Sequence, residues 1–194
     1  MCSNFELNAV PRDVMNAFGL DEAPPMPNEE QLRPTDLSLI IGIGKTAMMQ
    51  PWGFAVDWSK QPMINARSET LTEKATFRGV LENRCIVPAS AYFEWRKTED
   101  GKKLKNRISV PGVQVFGMAG LSDGERFTIV TCAPAPSIAH IHNRMPVVLT
   151  TETAARWIGG AAFADVANVL VPYADELSYE EEMPPAPAQG DLFG

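Results

Sequence analysis

The sequence predicts an α+β fold: one domain with a bent, largely antiparallel sheet, barrel-like at its core, and a few short helices. Three observations predict it. Short apolar runs of strand character recur along the chain, separated by turn sequences such as EDGKK and SDGE. Only two stretches carry helix signals. The 194 residues, 45% hydrophobic and 21% charged, suit one domain with a sizeable core.

Taken in order, residues 11–19 (PRDVMNAFG) read as a short helix, with Pro11 in the first turn and Gly19 as the stop. Val14, Met15 and Phe18 share one face of it. DEAPPMPNEE (21–30) reads as a Pro-rich acidic loop. Strands are expected at 37–43, 85–95, 108–121, 126–132 and 145–149. A second helix is expected near 152–158, after the cap-capable Thr150 and Thr151 and before Gly159-Gly160. Residues 174–194 carry acids and then MPPAPAQG, a composition that predicts disorder. The expected division is a domain over 1–173 and a tail over 174–194.

No run approaches 18 apolar residues, so no membrane span is expected. The start, MCSNFELNAVPRD, lacks the basic and apolar regions of a signal peptide. Cysteines at 2, 85 and 132 form neither a paired framework nor a CxxC zinc site. A reduced, cytoplasmic monomer without metal or cofactor is the expectation. The net charge of −7 disfavours a nucleic-acid partner until its distribution is examined. Six acids and no bases lie in 174–194, whereas 60–107 holds eleven bases against six acids. A basic middle of that kind permits phosphate-backbone binding without demonstrating it.

Four segments carry candidate chemistry. Cys2 becomes terminal once Met1 is trimmed, and then offers an α-amine and a thiol on adjacent carbons. The amine, with an ordinary pKa near 7.7–8.0, condenses with an aldehyde, and the thiol closes on the imine to a thiazolidine. The same thiol could attack an amide, and a position-2 cysteine taken alone is more often incidental. In INARSET (64–70), Asn65 and Arg67 share one face of an extended segment, Arg67 offering a planar fork for phosphate. In AYFEWRK (91–97), Glu94 shares a face with Tyr92 among aromatics that favour a raised pKa and acid/base work. In HIHNRMP (140–146), His140 and His142 are expected on one side of an extended segment. With no third ligand nearby, proton donation fits better than metal binding. Within PWGFAVDW (51–58), Trp52 reads as core, and Trp58 could stack on an unpaired base.

Together, MCSNF, RPTD (33–36), PWGF, INARSET, RCIVPASAYFEW (84–95) and IHNRMPVVL (141–149) resemble, in order, the motifs of the SRAP family, the SOS-response-associated peptidases. The resemblance covers roughly residues 1–150. It implies recognition of abasic sites in single-stranded DNA and near junctions, with covalent linkage through the terminal cysteine as a thiazolidine. By position it implies Cys2 as nucleophile, with Asn65 orienting the amine and the sugar. Glu94 would move protons, and His142 would protonate or hold the ring oxygen. Arg67, Arg144, Trp58 and Pro34 would contact DNA. The chain departs from the usual MCGRF start, because Ser3 and Asn4 stand in place of Gly and Arg, which removes a cation. The tail's Gln189, Asp191, Leu192 and Phe193 resemble a bacterial sliding-clamp-binding pentapeptide, with Gly190 a weaker residue than the usual Leu. Two other classes stay open: a cysteine peptidase using Cys2, and a non-catalytic DNA or clamp adaptor.

Overall fold

The computed structural model describes residues 2–182. The strands are β1 (Phe5–Glu6), β2 (Gln31–Leu32), β3 (Leu37–Gly42), β4 (Ala47–Pro51), β5 (Phe54–Val56), β6 (Ser59–Met63), β7 (Asn65–Arg67) and β8 (Arg84–Ala89). They continue with β9 (Ala91–Lys97), β10 (Lys103–Ser109), β11 (Phe116–Ser122), β12 (Phe127–Cys132), β13 (Met145–Pro146), β14 (Val148–Leu149) and β15 (Ser178–Glu181). The α-helices are α1 (Pro11–Phe18), α2 (Ala75–Arg78), α3 (Thr151–Trp157) and α4 (Phe163–Val166). The α+β class and the sparse, short helices agree with the sequence reading.

The strands form two principal sheets and a hairpin. One sheet runs β15-β10-β9-β1-β2, the other β13-β12-β11-β8-β3-β4, while β5 and β6 pair alone. Among the described residues the ladders are antiparallel except β7 with β12, and an isolated parallel bridge joins Trp52 to Phe127. The run 85–95, read from sequence as one strand, is two. It leaves one sheet after Ala89 and enters the other at Ala91. Ser90 makes the bend, its backbone N–H donating to Glu6 O at 2.7 Å and its hydroxyl to Asn8 O at 3.2 Å. Alternation alone cannot register such a bend, because residues 85–94 are buried without a break on both sides of it.

Helix α1 ends on Gly19 at φ 63°, a left-handed cap that a side chain would strain. Thr150 and Thr153 cap α3 reciprocally, Thr153 N–H donating to Thr150 Oγ1 at 3.2 Å and Thr150 N–H to Thr153 Oγ1 at 2.8 Å. Arg84, counted from sequence among the basic residues, is only 2% exposed. Its guanidinium donates to Trp157 O (2.7 Å) and Ala161 O (2.6 Å) and pairs with Glu82 at 2.7 Å. It serves the carbonyls left open after α3 and is unavailable to a ligand.

Trp52 is fully buried, as expected, and its place matters for the site. Its ring meets Phe5 edge-on at 5.1 Å and stacks with Phe127 at 6.4 Å, and its Nε1–H donates to Ile64 O at 2.8 Å. One side chain thereby ties together β1, β12 and the entry to β7.

The acidic segment departs from expectation. Disorder was read from residue 174 onward, yet Leu177 is buried and β15 pairs with β10 from Ser109↔Ser178 to Asn106↔Glu181. Its carboxylates meet cations: Glu181 binds Arg96 at 2.8 Å and Glu182 binds Lys105 at 2.9 Å. Composition predicted a solvated chain because it could not foresee these partners across the sheet edge. Among the described residues, no helix is long and apolar enough to cross a membrane.

Candidate active site

The site assembles where the chain begins. β1 lies between β2 and β9, which fixes the residues just before it. Asn4 O accepts the Phe93 N–H at 2.9 Å, and Cys2 Sγ–H donates to Asn4 O at 3.6 Å. Cys2 is completely buried. From β7, held parallel to β12, Asn65 Nδ2 donates to Cys2 O at 2.7 Å. From β9, Glu94 enters on the same face as Tyr92. From the turn before β13, His142 Nε2 stands 3.9 Å from Glu94 Oε2. Segments some 60, 90 and 140 residues from the terminus thus converge on it.

The electrostatics suit proton transfer. Burial pushes the Cys2 thiol far above its ordinary value, and the nearby Glu94 adds to this. The thiol is therefore protonated at rest and needs a base. Burial also raises Glu94 to about 7, with the positive N-terminal amine pulling the other way. His142 is shifted down, first by burial and then by the same amine, so its ring is neutral near pH 7. Its Nδ1 lies 3.0 Å from the Arg144 backbone N and 3.1 Å from Arg144 O, contacts that hold the ring with Nε2 facing Glu94.

Tyr92 is a part of the site that the sequence reading passed over. Its hydroxyl is buried, and burial raises its pKa, with Cys2 and Glu94 both contributing. Neither Tyr92 Oη nor Asn65 Oδ1 has a hydrogen-bond partner among the described residues. Buried polar atoms left open beside a nucleophile mark a place for a ligand. The shared face of Tyr92 and Glu94 was the available signal.

His142 lies at the meeting of two open depressions. One, about 590 Å³, is lined by Arg67, Glu69, Thr70, His142, Asn143 and Arg144; the other, about 440 Å³, by Ser3, Glu94, Trp95, Lys103 and His142. A larger apolar groove of about 680 Å³ between α1 and α3 touches none of the candidate residues. Arg67 is exposed. The Arg144 guanidinium is gripped by Glu69 at 2.6 and 2.9 Å and donates to Thr131 O at 2.7 Å, partners that sequence reading missed. Trp58 projects from the β5–β6 turn at 72% exposure. Pro34 sits half-buried in the turn between β2 and β3. His140 does not accompany His142: the segment is a turn, not extended, and His140 packs against Tyr179 at 4.9 Å. Gln189, Asp191, Leu192 and Phe193 lie outside the described residues.

The motif order, now joined in space, is matched by a family profile described as SOS response associated peptidase (SRAP), which covers residues 1–182. The chain belongs to the SRAP family. Among its relatives is abasic site processing protein YoqW of Bacillus subtilis (strain 168), 32% identical over 179 residues, covering 81% of this chain and 80% of that one. Abasic site processing protein YobE of the same strain is 32% identical over 201 residues, covering 91% and 92%. A crystal structure of a Bordetella bronchiseptica protein superposes with TM-score 0.80 at 24% identity, covering 94% of this chain and all of that one, and supports the fold. The SRAP match extends past residue 173 and takes in β15, in keeping with the ordered acidic strand.

Proposed function

We propose that this protein recognises abasic sites in single-stranded DNA and links to them covalently through the α-amine and thiol of Cys2 after loss of Met1. The observation that carries the reading is the convergence of Asn65, Glu94 and His142 on a buried Cys2 at the chain terminus. The names of the SRAP relatives agree with it. An abasic sugar rests as a closed hemiacetal. The Glu94 carboxylate takes the proton of its 1-hydroxyl and delivers it to the ring oxygen as the C1′–O bond breaks, with His142 holding that oxygen by a hydrogen bond, which frees the aldehyde. The Cys2 amine, oriented by Asn65, passes the proton of its ammonium form to Glu94 and adds to C1′, and one amine proton moves to the former carbonyl oxygen to make a hydroxyl. Glu94 returns its proton to the departing hydroxyl, so water leaves and an iminium remains. The Cys2 thiol gives its proton to Glu94 and its sulfur bonds to C1′, leaving a neutral ring nitrogen. The sum is aldehyde plus aminothiol giving thiazolidine plus one water, with no oxidant required.

Arg67 would hold the flanking phosphate, and Arg144 would join it where phosphate displaces Glu69. Trp58 and Pro34 would line the DNA path. In the same reading, the tail beyond the described residues tethers the protein to a sliding clamp through Gln189, Asp191, Leu192 and Phe193. The competing peptidase reading would use the same Cys2 thiol with Glu94 or His142 as its base, and it predicts peptide cleavage without a denaturation-resistant band. The test mixes protein with single-stranded DNA bearing one abasic site and runs a denaturing gel. A heat-stable shifted band is expected. It should vanish with Cys2→Ala, with a residue left ahead of Cys2, or with an intact base. Persistence of the band in Cys2→Ala refutes the reading.

A further inference from the structure

The cations of β9 and β10 are not treated alike. Arg96 is held by Glu181 at 2.8 Å, Lys105 by Glu182 at 2.9 Å with its Nζ over the Phe93 ring at 4.2 Å, and Arg107 by Glu6. In the intervening turn Lys102 meets Asp100 at 2.9 Å. Lys97 and Lys103 have no carboxylate partner among the described residues, although they are directly opposed in the β9–β10 register. Opposed residues share a face of the sheet, and like charges so placed destabilise the pair. Two exposed lysines facing each other are thus the one uncompensated position in an otherwise neutralised ladder. Lys103 also lines the depression that holds Ser3, Glu94, Trp95 and His142.

We propose that Lys97 and Lys103 form a phosphate clamp that receives the nucleic-acid backbone on the side of His142 opposite Arg67. The inference rests on the single-stranded DNA reading above and adds a path to it. The strand enters the Arg67 depression, passes His142, where the reacting sugar sits, and leaves over the paired lysines. β15 contributes by neutralising Arg96 and Lys105, so that the positive potential is concentrated at the mouth of the site. This placement also answers the missing cation at position 4. Asn4 is only 7% exposed, and Lys103, on β10 beyond β9, brings a cation to the depression that Ser3 lines.

The experiment compares the wild-type protein with the Lys97→Gln/Lys103→Gln double variant and with Lys45→Gln, whose ammonium bonds Gly19 O away from the site. Binding to an intact-base single-stranded oligonucleotide is followed by fluorescence anisotropy across a salt series, and adduct formation is followed with the abasic form. The clamp predicts that the double variant binds roughly tenfold more weakly at 0.1 M salt. Its log K against log salt slope should be shallower by about 0.7 per lost phosphate contact, about 1.4 in all. Its adduct yield at sub-saturating DNA should fall in step with its affinity, and its melting temperature should not fall, since repulsion has been removed. Affinity and slope equal to wild type in the double variant would overturn the clamp, as would an equal loss in Lys45→Gln. Wild-type binding with the expected slope change but no denaturation-resistant adduct would support the clamp and overturn the covalent chemistry.

Discussion

Glu94 is 1% exposed, with a pKa raised to about 7, and this one residue ties rate to stability. Its folded value lies above the reference of 4.5, so the folded chain holds the proton more tightly than the unfolded chain does. The stability it contributes is present below about pH 4.5 and is lost as pH rises to about 7. Glu94→Gln should therefore melt about 4–8 °C higher than wild type at pH 8 and little differently at pH 5, a gain of about 2 kcal/mol. The same variant should form adduct roughly ten- to a thousandfold more slowly. It should also lose the rise in rate that wild type shows as pH climbs through about 7, because the ionised carboxylate is the base. A pH–rate profile and a melt at two pH values check both. Equal profiles in the two proteins would remove Glu94 from the chemistry. At this scale the sequence was informative. Cys2, Asn65, Glu94 and His142 were each named from local chemistry or family resemblance, and Tyr92 was within reach of the alternation that placed Glu94. Glu69 was not, because its meaning lies in a contact with Arg144, 75 residues away.

Short elements gather these residues, and each depends on side chains that look ordinary in sequence. Glu69 follows β7 and grips Arg144, whose backbone N–H fixes His142. If phosphate competes for Arg144, Glu69→Gln should strengthen single-stranded DNA binding by about three- to tenfold at low salt and the gain should fade as salt rises. A variant with unchanged affinity would make Arg144 a positioning residue alone. Arg84 shows the opposite fate of a cation. Buried against the carbonyls after α3, it should cost about 3 kcal/mol or more when replaced by Met, lowering the melting temperature by roughly 6–12 °C. DNA affinity should be unchanged. A melt within 2 °C of wild type would show those carbonyls to be served otherwise. Strands with clean apolar runs, such as β3 and β12, were legible from sequence. The two-residue strands β1 and β2 were not, since pairs so short hold only through neighbours.

For the molecule as a whole, net charge misleads. A chain of −7 can bind a polyanion because its acids and bases are sorted: acids on β15 and in 21–30, unpaired bases around the His142 depressions. The α+β class followed from the density of short strands, whereas the split into two sheets, hinged at Ser90, needed three dimensions. That hinge brings β9 beside β1 and so brings Glu94 to the chain's first residues. The central claim is that the reactive group is the amine and thiol of Cys2 acting together. Intact-mass analysis of the purified adduct after denaturation and thiol alkylation tests it directly. The chain has three cysteines, all with free thiols. A thiazolidine predicts a product lacking Met1, heavier than the protein by the DNA less one water, with two alkylations where the free protein takes three. An adduct that accepts three alkylations, or one that retains Met1, would contradict it.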